Sequence, residues 1–109
     1  EKKYGLYADQ GEGDQWVYIL SNPSLPKEYL KIGYTKLKPE ERAIQISSAT
    51  GVPTPYKVEW AYKCFNGEIV ERMTHQKLKA FRVNNKKEFF HISLEEAKDN
   101  IILIGNKFK

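Results

Sequence analysis

The sequence has few of the side chains that form covalent intermediates or bind transition metals. Its 109 residues include a single cysteine, Cys64, and two histidines. One cysteine excludes an internal disulfide and is typical of a protein from a reducing compartment. The histidines and the thiol show no recognised ligand spacing, which argues against a zinc centre. Cys64 also lacks a convincing base partner that would make it a nucleophile.

The sequence also lacks long apolar segments and glycine-rich nucleotide motifs. No run approaches the length of a membrane span, and the charged N-terminus lacks the apolar core of a signal peptide. A Walker loop, a dinucleotide-binding glycine motif and a nucleophile elbow are all absent. We therefore expect one soluble, cytoplasmic domain that makes no membrane contact.

Positive charge is in modest excess and is unevenly distributed. Eighteen Lys and Arg residues against fourteen Asp and Glu give a net charge of +4, which is compatible with a nucleic-acid partner. Residues 67–92 carry six basic and three acidic side chains. The alternative is that these charges form a solvated helix face and a loop. The candidate nucleic-acid contacts in this segment are Lys77, Lys79, Arg82, Lys86 and Lys87.

Apolar and aromatic patterning predicts a small set of strands. A short extended segment is expected at 88–92, and two prolines mark the connection between the first two strands. The third strand alternates, with Val58, Trp60 and Tyr62 on one face. The predicted strands are 16–20, 29–34 and 56–64.

Three further stretches have the features of helices. The first, 39–48, begins with a proline and two acidic residues. The second, 67–81, follows Asn66 as a plausible N-cap. The third opens with the capping-box pattern at 93–96 and runs to about residue 104. The predicted apolar positions of the second helix are Val70, Met73, Leu78 and Phe81.

The order of these elements has no regular alternation of strand and helix. It therefore predicts an α+β fold rather than a doubly wound sheet. Residues 1–15 are polar and are expected to be a lead-in or linker, with the folded domain at 16–109.

Tyr18 and Lys31 lie on strands that are predicted to pair. An ammonium group near a phenol lowers the pKa of that phenol, because opposite charge favours the ionised form. Such a phenolate can take a proton from water. The alternative is that Tyr18 is an ordinary strand aromatic and Lys31 an edge charge.

Four polar side chains elsewhere suggest phosphate and metal chemistry. Arg42, one turn into the first helix, can hold a phosphate in a two-point grip or pair with a nearby glutamate. Glu71 and His75 are one turn apart, so a carboxylate there can hold Mg²⁺ while the imidazole contacts phosphate or assists proton transfer. The alternative is a simple pair on a solvated helix. Glu88 can support such a site from nearby or form an ion pair or cap.

These residues together resemble the GIY-YIG nuclease superfamily. Trp16-Val17-Tyr18 stands where the first motif belongs, and Lys31-Ile32-Gly33 where the second does. The resemblance is greatest to the T5-orf-type subgroup of phages and bacteria. Stretches that carry this closer similarity are Leu20-Ser21-Asn22-Pro23, Lys31-Ile32-Gly33-Tyr34-Thr35, Pro39-Glu40-Glu41-Arg42, Thr50-Gly51-Val52-Pro53-Thr54-Pro55 and Glu88-Phe89-Phe90.

The resemblance implies a small three-stranded antiparallel sheet flanked by helices and a metal-dependent endonuclease that hydrolyses DNA. It implies that Tyr18 is the general base, that Arg42 stabilises the pentacovalent phosphate and that Glu71 binds Mg²⁺ or Mn²⁺. Lys31 replaces the second tyrosine of the family, and Glu88 lies near the position of a family asparagine. Such domains are often fused to others, so the chain is expected to be the catalytic module of a larger protein.

Two other functions are compatible with the same residues. A nucleic-acid-binding domain with this fold and little catalysis would use Lys31 and the basic 77–87 segment. A protein-interaction module would use exposed aromatics, for which Trp60 and Tyr62 are the candidates.

Overall fold

The computed structural model describes residues 12–49, 54–83 and 88–108. None of the helices in these ranges is long and apolar enough to cross a membrane. In chain order the elements are β1 (Gln15–Ser21), β2 (Tyr29–Thr35), α1 (Pro39–Ala49), β3 (Lys57–Cys64), α2 (Gly67–Lys77), a 3₁₀ turn (Lys79–Phe81), β4 (Phe89–His91) and α3 (Leu94–Lys107).

The sheet has four strands in the order β3-β1-β2-β4, and all neighbouring strands are antiparallel. This confirms the α+β fold with an antiparallel sheet, but the expectation of three strands is wrong. The fourth strand, β4, pairs with β2, so that Phe90 lies opposite Leu30. The extended segment predicted at 88–92 is confirmed as this strand, and Phe90 within it is fully buried.

The central strand β1 is covered on both faces of the sheet. Its residues Val17, Tyr18, Ile19 and Leu20 are at most 1% exposed. Because alternate side chains of a strand point to opposite faces, burial of four in succession requires packing on both sides. This position gives Tyr18 a rigid, largely dry environment.

Trp60 and Tyr62 on β3 belong to the core, each with only 2% of its surface exposed. The prediction that they are exposed anchors for a protein partner is therefore wrong. Gly105 of α3 lies directly against the Tyr62 ring, where any larger side chain would collide. The sequence showed their alternation but not which helix would cover them.

Helix α1 begins as its first residues predict. Pro39 occupies the first turn, and the Arg42 N–H donates to the Lys38 carbonyl at 3.1 Å. Just before it, the Thr35 hydroxyl accepts a hydrogen bond from the Leu37 N–H at 2.9 Å. This short connection ties the end of β2 to α1 and fixes Arg42 one turn into the helix.

The start of α2 differs from the prediction that Asn66 caps it. The Asn66 side chain instead donates to the Phe108 carbonyl at 2.7 Å. The Gly67 N–H donates to Gln15 Oε1 at 2.9 Å, so an amide on β1 supplies the cap. By contrast, Ser93 caps α3 as predicted, because its Oγ accepts from the Glu96 N–H at 3.1 Å.

Helix α2 ends at Lys77 and is followed by the 3₁₀ turn, earlier than the predicted end at 81. Val70 and Leu78 are buried as expected, whereas Met73 and Phe81 are 39% and 41% exposed. Thr74, and not the neighbouring Met73 that the pattern predicted, is the buried residue at this point of the helix. The change of helix type after Lys77 moves Phe81 off the buried face.

Candidate active site

Tyr18 lies at the centre of the sheet with its ring over a glycine. In register, Tyr18 is opposite Gly33 on β2 and Ala61 on β3. A Cβ atom on Gly33 would lie 2.6 Å from the Tyr18 Cζ. The small residues on both neighbours therefore make the space for the phenol ring.

The environment of Tyr18 favours its neutral form. Burial, and then the negative charge of Glu88, raise the pKa of Tyr18 to about 12. The Arg42 guanidinium lowers this pKa by a hydrogen bond and by its charge, while the Glu71 carboxylate raises it. Tyr18 thus responds electrostatically to residues from two helices and from the start of β4.

Arg42 projects from the first turn of α1 and is half-buried. One of its terminal nitrogens, Nη1, donates to Gln45 Oε1 at 3.1 Å. Gln45 is one turn further along the helix, so this bond restrains the guanidinium beside the Tyr18 hydroxyl. A positive charge is thereby held next to a phenol, which favours binding of an anion at this place.

Glu71 of α2 is a carboxylate whose ionised form is disfavoured. Burial, followed by the negative charges of Glu88 and Glu68, raises the pKa of Glu71 to about 7. Lys31 and Arg72 act in the opposite direction. The position therefore has an excess of negative charge, which a cation would neutralise.

His75 is fixed by a backbone carbonyl. Its Nε2 lies 2.7 Å from the Ile32 oxygen, and since a carbonyl only accepts, Nε2 carries the hydrogen. Burial lowers the pKa of His75, so the ring is neutral at pH 7 with Nδ1 as an acceptor. Nε2 is 3.9 Å from Glu71 Oε2, and the ring packs on Phe90 with centroids 5.0 Å apart.

Lys31 pairs with a carboxylate rather than acting on the phenol. Its Nζ is 2.9 Å from Glu88 Oε1 and 5.1 Å from the centroid of the Phe89 ring. The predicted lowering of the Tyr18 pKa by Lys31 is wrong, because burial dominates and Arg42 is the cation that acts on Tyr18. The ion pair was one of the two roles expected for Glu88.

The structure brings the predicted polar residues into one cluster. Electrostatic coupling joins Tyr18, Arg42, Glu71 and Glu88, and direct contacts add Lys31 and His75. Beside this cluster is a pocket of about 370 Å³. Its lining residues are Glu68, Glu71, Arg72, His75, Gln76, Lys79 and Arg82.

Of the predicted nucleic-acid contacts, Lys79 and Arg82 line this pocket and Lys77 does not. Lys86 and Lys87 lie outside the described residues. Sequence reasoning did not assign a role to Arg72 or Gln76. A usable signal was that Arg72 lies three residues before His75 and four before Gln76, since residues three and four apart share a helix face.

The described residues offer few ligands for a metal ion and no reactive thiol. Within residues 12–49, 54–83 and 88–108, no group of three or more His, Cys, Asp or Glu side chains is arranged to hold a metal ion. Burial raises the pKa of Cys64 to about 11, which leaves an inert thiol. An ion at Glu71 would thus take most of its ligands from substrate and water.

The Gly33→Ala substitution is expected to disturb Tyr18 directly. The added methyl group must displace the phenol ring, so we expect a loss of about 1–3 kcal/mol in the free energy of unfolding. Displacement toward solvent should also lower the Tyr18 pKa from about 12. Denaturant unfolding and NMR titration of Cζ-labelled tyrosines measure both effects.

The matched control for this substitution is Gly105→Ala, which creates a similar collision with the Tyr62 ring. It should destabilise the protein while the titration of Tyr18 stays unchanged. A Gly33→Ala protein with wild-type stability and a wild-type Tyr18 pKa would contradict the packing described above.

Comparisons with known proteins place this arrangement in a family. Neither the curated proteins nor the solved structures give a significant match to the chain. Residues 15–105, however, match the T5orf172 domain, a nuclease-like domain that implies interaction with nucleic acid. This match runs from β1 almost to the end of α3 and includes every residue of the cluster. The chain therefore belongs to the T5orf172 domain family.

Proposed function

We propose that the chain is a GIY-YIG-type endonuclease that hydrolyses phosphodiester bonds in DNA with Mg²⁺ or Mn²⁺. The nuclease domain begins with β1 at Gln15, whose side chain caps α2, and the chain is the catalytic module of a larger protein. One observation carries this proposal. The three catalytic candidates, Tyr18, Arg42 and Glu71, come from three separate elements. They lie so close together that Arg42 and Glu71 both shift the Tyr18 pKa.

Arg42 is the residue that we assign to the scissile phosphate. Its planar guanidinium fork matches two phosphate oxygens. The hydrogen bond to Gln45 limits its motion, so less entropy is lost when it binds. Its charge would stabilise the additional negative charge of the pentacovalent phosphate.

Glu71 is the residue that we assign to the metal ion. Its surroundings carry excess negative charge from Glu68 and Glu88, and a hard cation accepts one carboxylate with waters and phosphate oxygens as its other ligands. When bound, the ion would supply positive charge that stabilises the phosphate oxygens and favours ionisation of Tyr18. The donor set fits Mg²⁺ or Mn²⁺ and does not fit zinc.

Tyr18 is the residue that we assign to proton transfer from the attacking water. A neutral phenol must lose its own proton before it can accept another, and burial opposes this loss. Arg42 favours the loss, and neutralising Glu71 would remove one charge that opposes it. The water oxygen then bonds to phosphorus, its proton passes to Tyr18, and the leaving oxygen departs with the electrons of the broken ester bond.

Lys31, His75 and Glu88 would support these three residues. Lys31 neutralises Glu88 through their ion pair and lowers the Glu71 pKa. His75 is held on the Ile32 carbonyl beside Glu71, where its neutral ring can accept a hydrogen bond at Nδ1 from a water. We therefore assign His75 to orienting water rather than to carrying charge.

The alternative function is a nucleic-acid-binding domain of the same fold with weak catalysis. It is favoured by the raised pKa values of Tyr18 and Glu71, because both shifts oppose the ionised forms that hydrolysis needs. This alternative predicts salt-sensitive binding to DNA without cleavage.

Supercoiled plasmid incubated with the purified domain separates these functions. The endonuclease should convert it to the nicked form in Mg²⁺ or Mn²⁺, and a chelator should stop the reaction by removing the metal. Glu71→Gln protein purified in parallel controls for contaminating nuclease. A clear gel shift with no nicking in either metal would favour the binding domain, and neither activity would refute both.

A further inference from the structure

The pocket beside the catalytic cluster is lined by three cations that form no ion pair with the described residues. Ion pairs between described residues include Lys31–Glu88, Lys57–Glu59, His75–Glu71 and His91–Glu28. Arg72, Lys79 and Arg82 line the pocket and take part in none of these pairs. Two carboxylates, Glu68 and Glu71, line the same pocket. Since the three cations outnumber them, the part of the pocket that the cations line attracts an anion.

The Arg82 side chain is held in place although its buried Nε atom forms no hydrogen bond with a described residue. Its guanidinium carbon lies 5.5 Å from the centroid of the buried Phe90 ring, and its backbone forms a bridge with Phe90. Its Nε is buried and has no hydrogen-bond partner among the described residues. A buried donor without an acceptor costs free energy, so packing on Phe90, and not a hydrogen bond from Nε to a described residue, holds the Arg82 guanidinium at the pocket.

The pocket adjoins the catalytic cluster through shared residues. Glu71 and His75 belong to both, and the other lining residues of α2 continue along the same helix face. A chain that enters the cluster with one phosphate therefore places its next phosphate near the pocket. A mononucleotide ester has no second phosphodiester to put there.

We propose that this pocket is a subsite for the phosphate that neighbours the scissile one on the cleaved DNA strand, with Arg72, Lys79 and Arg82 as its cations. This inference rests on the proposed function. The planar fork of Arg82 gives a two-point contact to phosphate, and exposed Lys79 adds a mobile charge. The subsite makes the domain select polynucleotides over small phosphodiesters and fixes the strand relative to Glu71.

Binding without chemistry tests the subsite first. In a Glu71→Gln background with chelator, Lys79→Gln and Arg82→Gln should each weaken binding of a fluorescent duplex of about 16 base pairs by about tenfold. Each should also reduce the slope of log affinity against log salt by about 0.9, the loss of one phosphate contact. Lys107→Gln, an equal charge change at an exposed position near the end of α3, should leave both unchanged. Arg82→Lys should recover part of the affinity if Arg82→Gln also perturbs packing on Phe90.

Cleavage of two substrates then places the subsite beside the reaction. Bis(p-nitrophenyl) phosphate has a single phosphate, so Lys79→Gln should lower its hydrolysis by a much smaller factor than it lowers kcat/KM for DNA, for which KM should rise about tenfold with little change in kcat. Equal losses on both substrates would overturn the assignment to a neighbouring phosphate. Equal weakening of binding by Lys77→Gln and Lys79→Gln, or no weakening by Lys79→Gln and Arg82→Gln, would overturn the subsite itself. If wild-type protein cleaves neither substrate, the proposed function fails, while the binding series still decides whether the pocket holds a phosphate.

Discussion

The Glu71→Gln protein is expected to lose metal-dependent cleavage and to be more stable than wild type above pH 7. The amide keeps the shape of the side chain but cannot hold a divalent cation with a full negative charge, so we expect cleavage to fall by at least about 10³-fold. The gain in stability follows from the raised pKa of the carboxyl group in the folded protein. A single substitution should thus act in opposite directions on activity and on stability.

The sign of the stability effect follows from the two pKa values of Glu71. The ordinary pKa of a glutamate side chain is 4.5, and that of Glu71 in the folded protein is about 7, so between these values the native state binds more protons than the unfolded state. Stability therefore falls as pH rises through this window and remains lower above it. At 1.36 kcal/mol per pKa unit, and with discounting for the partial exposure of the side chain, the cost is on the order of 2–3 kcal/mol.

Urea unfolding between pH 4 and 9 measures this effect. The wild-type free energy of unfolding should decrease between about pH 4.5 and 7, and this decrease should be absent from Glu71→Gln. The matched control is Glu68→Gln, an exposed acid one turn earlier on α2, which should retain most of the pH dependence. Parallel curves for wild type and Glu71→Gln would show that Glu71 ionises normally.

The Tyr18→Phe protein is expected to lose cleavage while keeping its fold. Phenylalanine fills the same space over Gly33 and removes only the hydroxyl that lies beside Arg42. Loss of a general base lowers a rate by about 10²–10⁴-fold. Stability should change by no more than about 1 kcal/mol, because one hydrogen bond of the phenol is removed.

The pH dependence of the wild-type rate tests the same assignment. A pKa of about 12 keeps Tyr18 neutral at pH 7, so the rate of cleavage should increase with pH above 7 as the phenolate fraction grows. Tyr62→Phe is the matched control, since Tyr62 is also buried with a raised pKa but lies against α3. Cleavage by Tyr18→Phe at the wild-type rate, measured in single turnover, would remove Tyr18 from the mechanism.

Local chemistry explains which structural elements could be predicted. The starts of α1 and α3 depend on Pro39 and Ser93, which affect only residues within one helical turn. These two helix starts could therefore be predicted from the sequence alone. The cap of α2 is supplied by Gln15, 52 residues away, and no local pattern contains that information. The extended segment predicted at 88–92 forms β4, but its pairing with β2 could not be predicted, because three residues carry no pattern that identifies a distant partner strand.

The sequence selected residues that the structure brings into one cluster, but it did not predict their electrostatics. Tyr18, Arg42 and Glu71 were selected through the family resemblance, and the structure places them together. The direction of the Tyr18 pKa shift depended on burial between β2 and β3, and the partner of Lys31 is Glu88 on a distant segment. Both depend on tertiary packing, which sequence spacing does not contain.

The account is tested most directly by the single-turnover rate of plasmid nicking in Mn²⁺ for wild type, Tyr18→Phe, Glu71→Gln and the double variant. If the two residues serve one catalytic site, wild type nicks the plasmid and the double variant is no slower than the slower single variant, since residues that act as a unit are not additive. Nicking by Glu71→Gln at the wild-type rate, or a wild-type protein that is inactive in Mn²⁺ and also when Mg²⁺ replaces it, would contradict a metal-dependent site built on Tyr18 and Glu71.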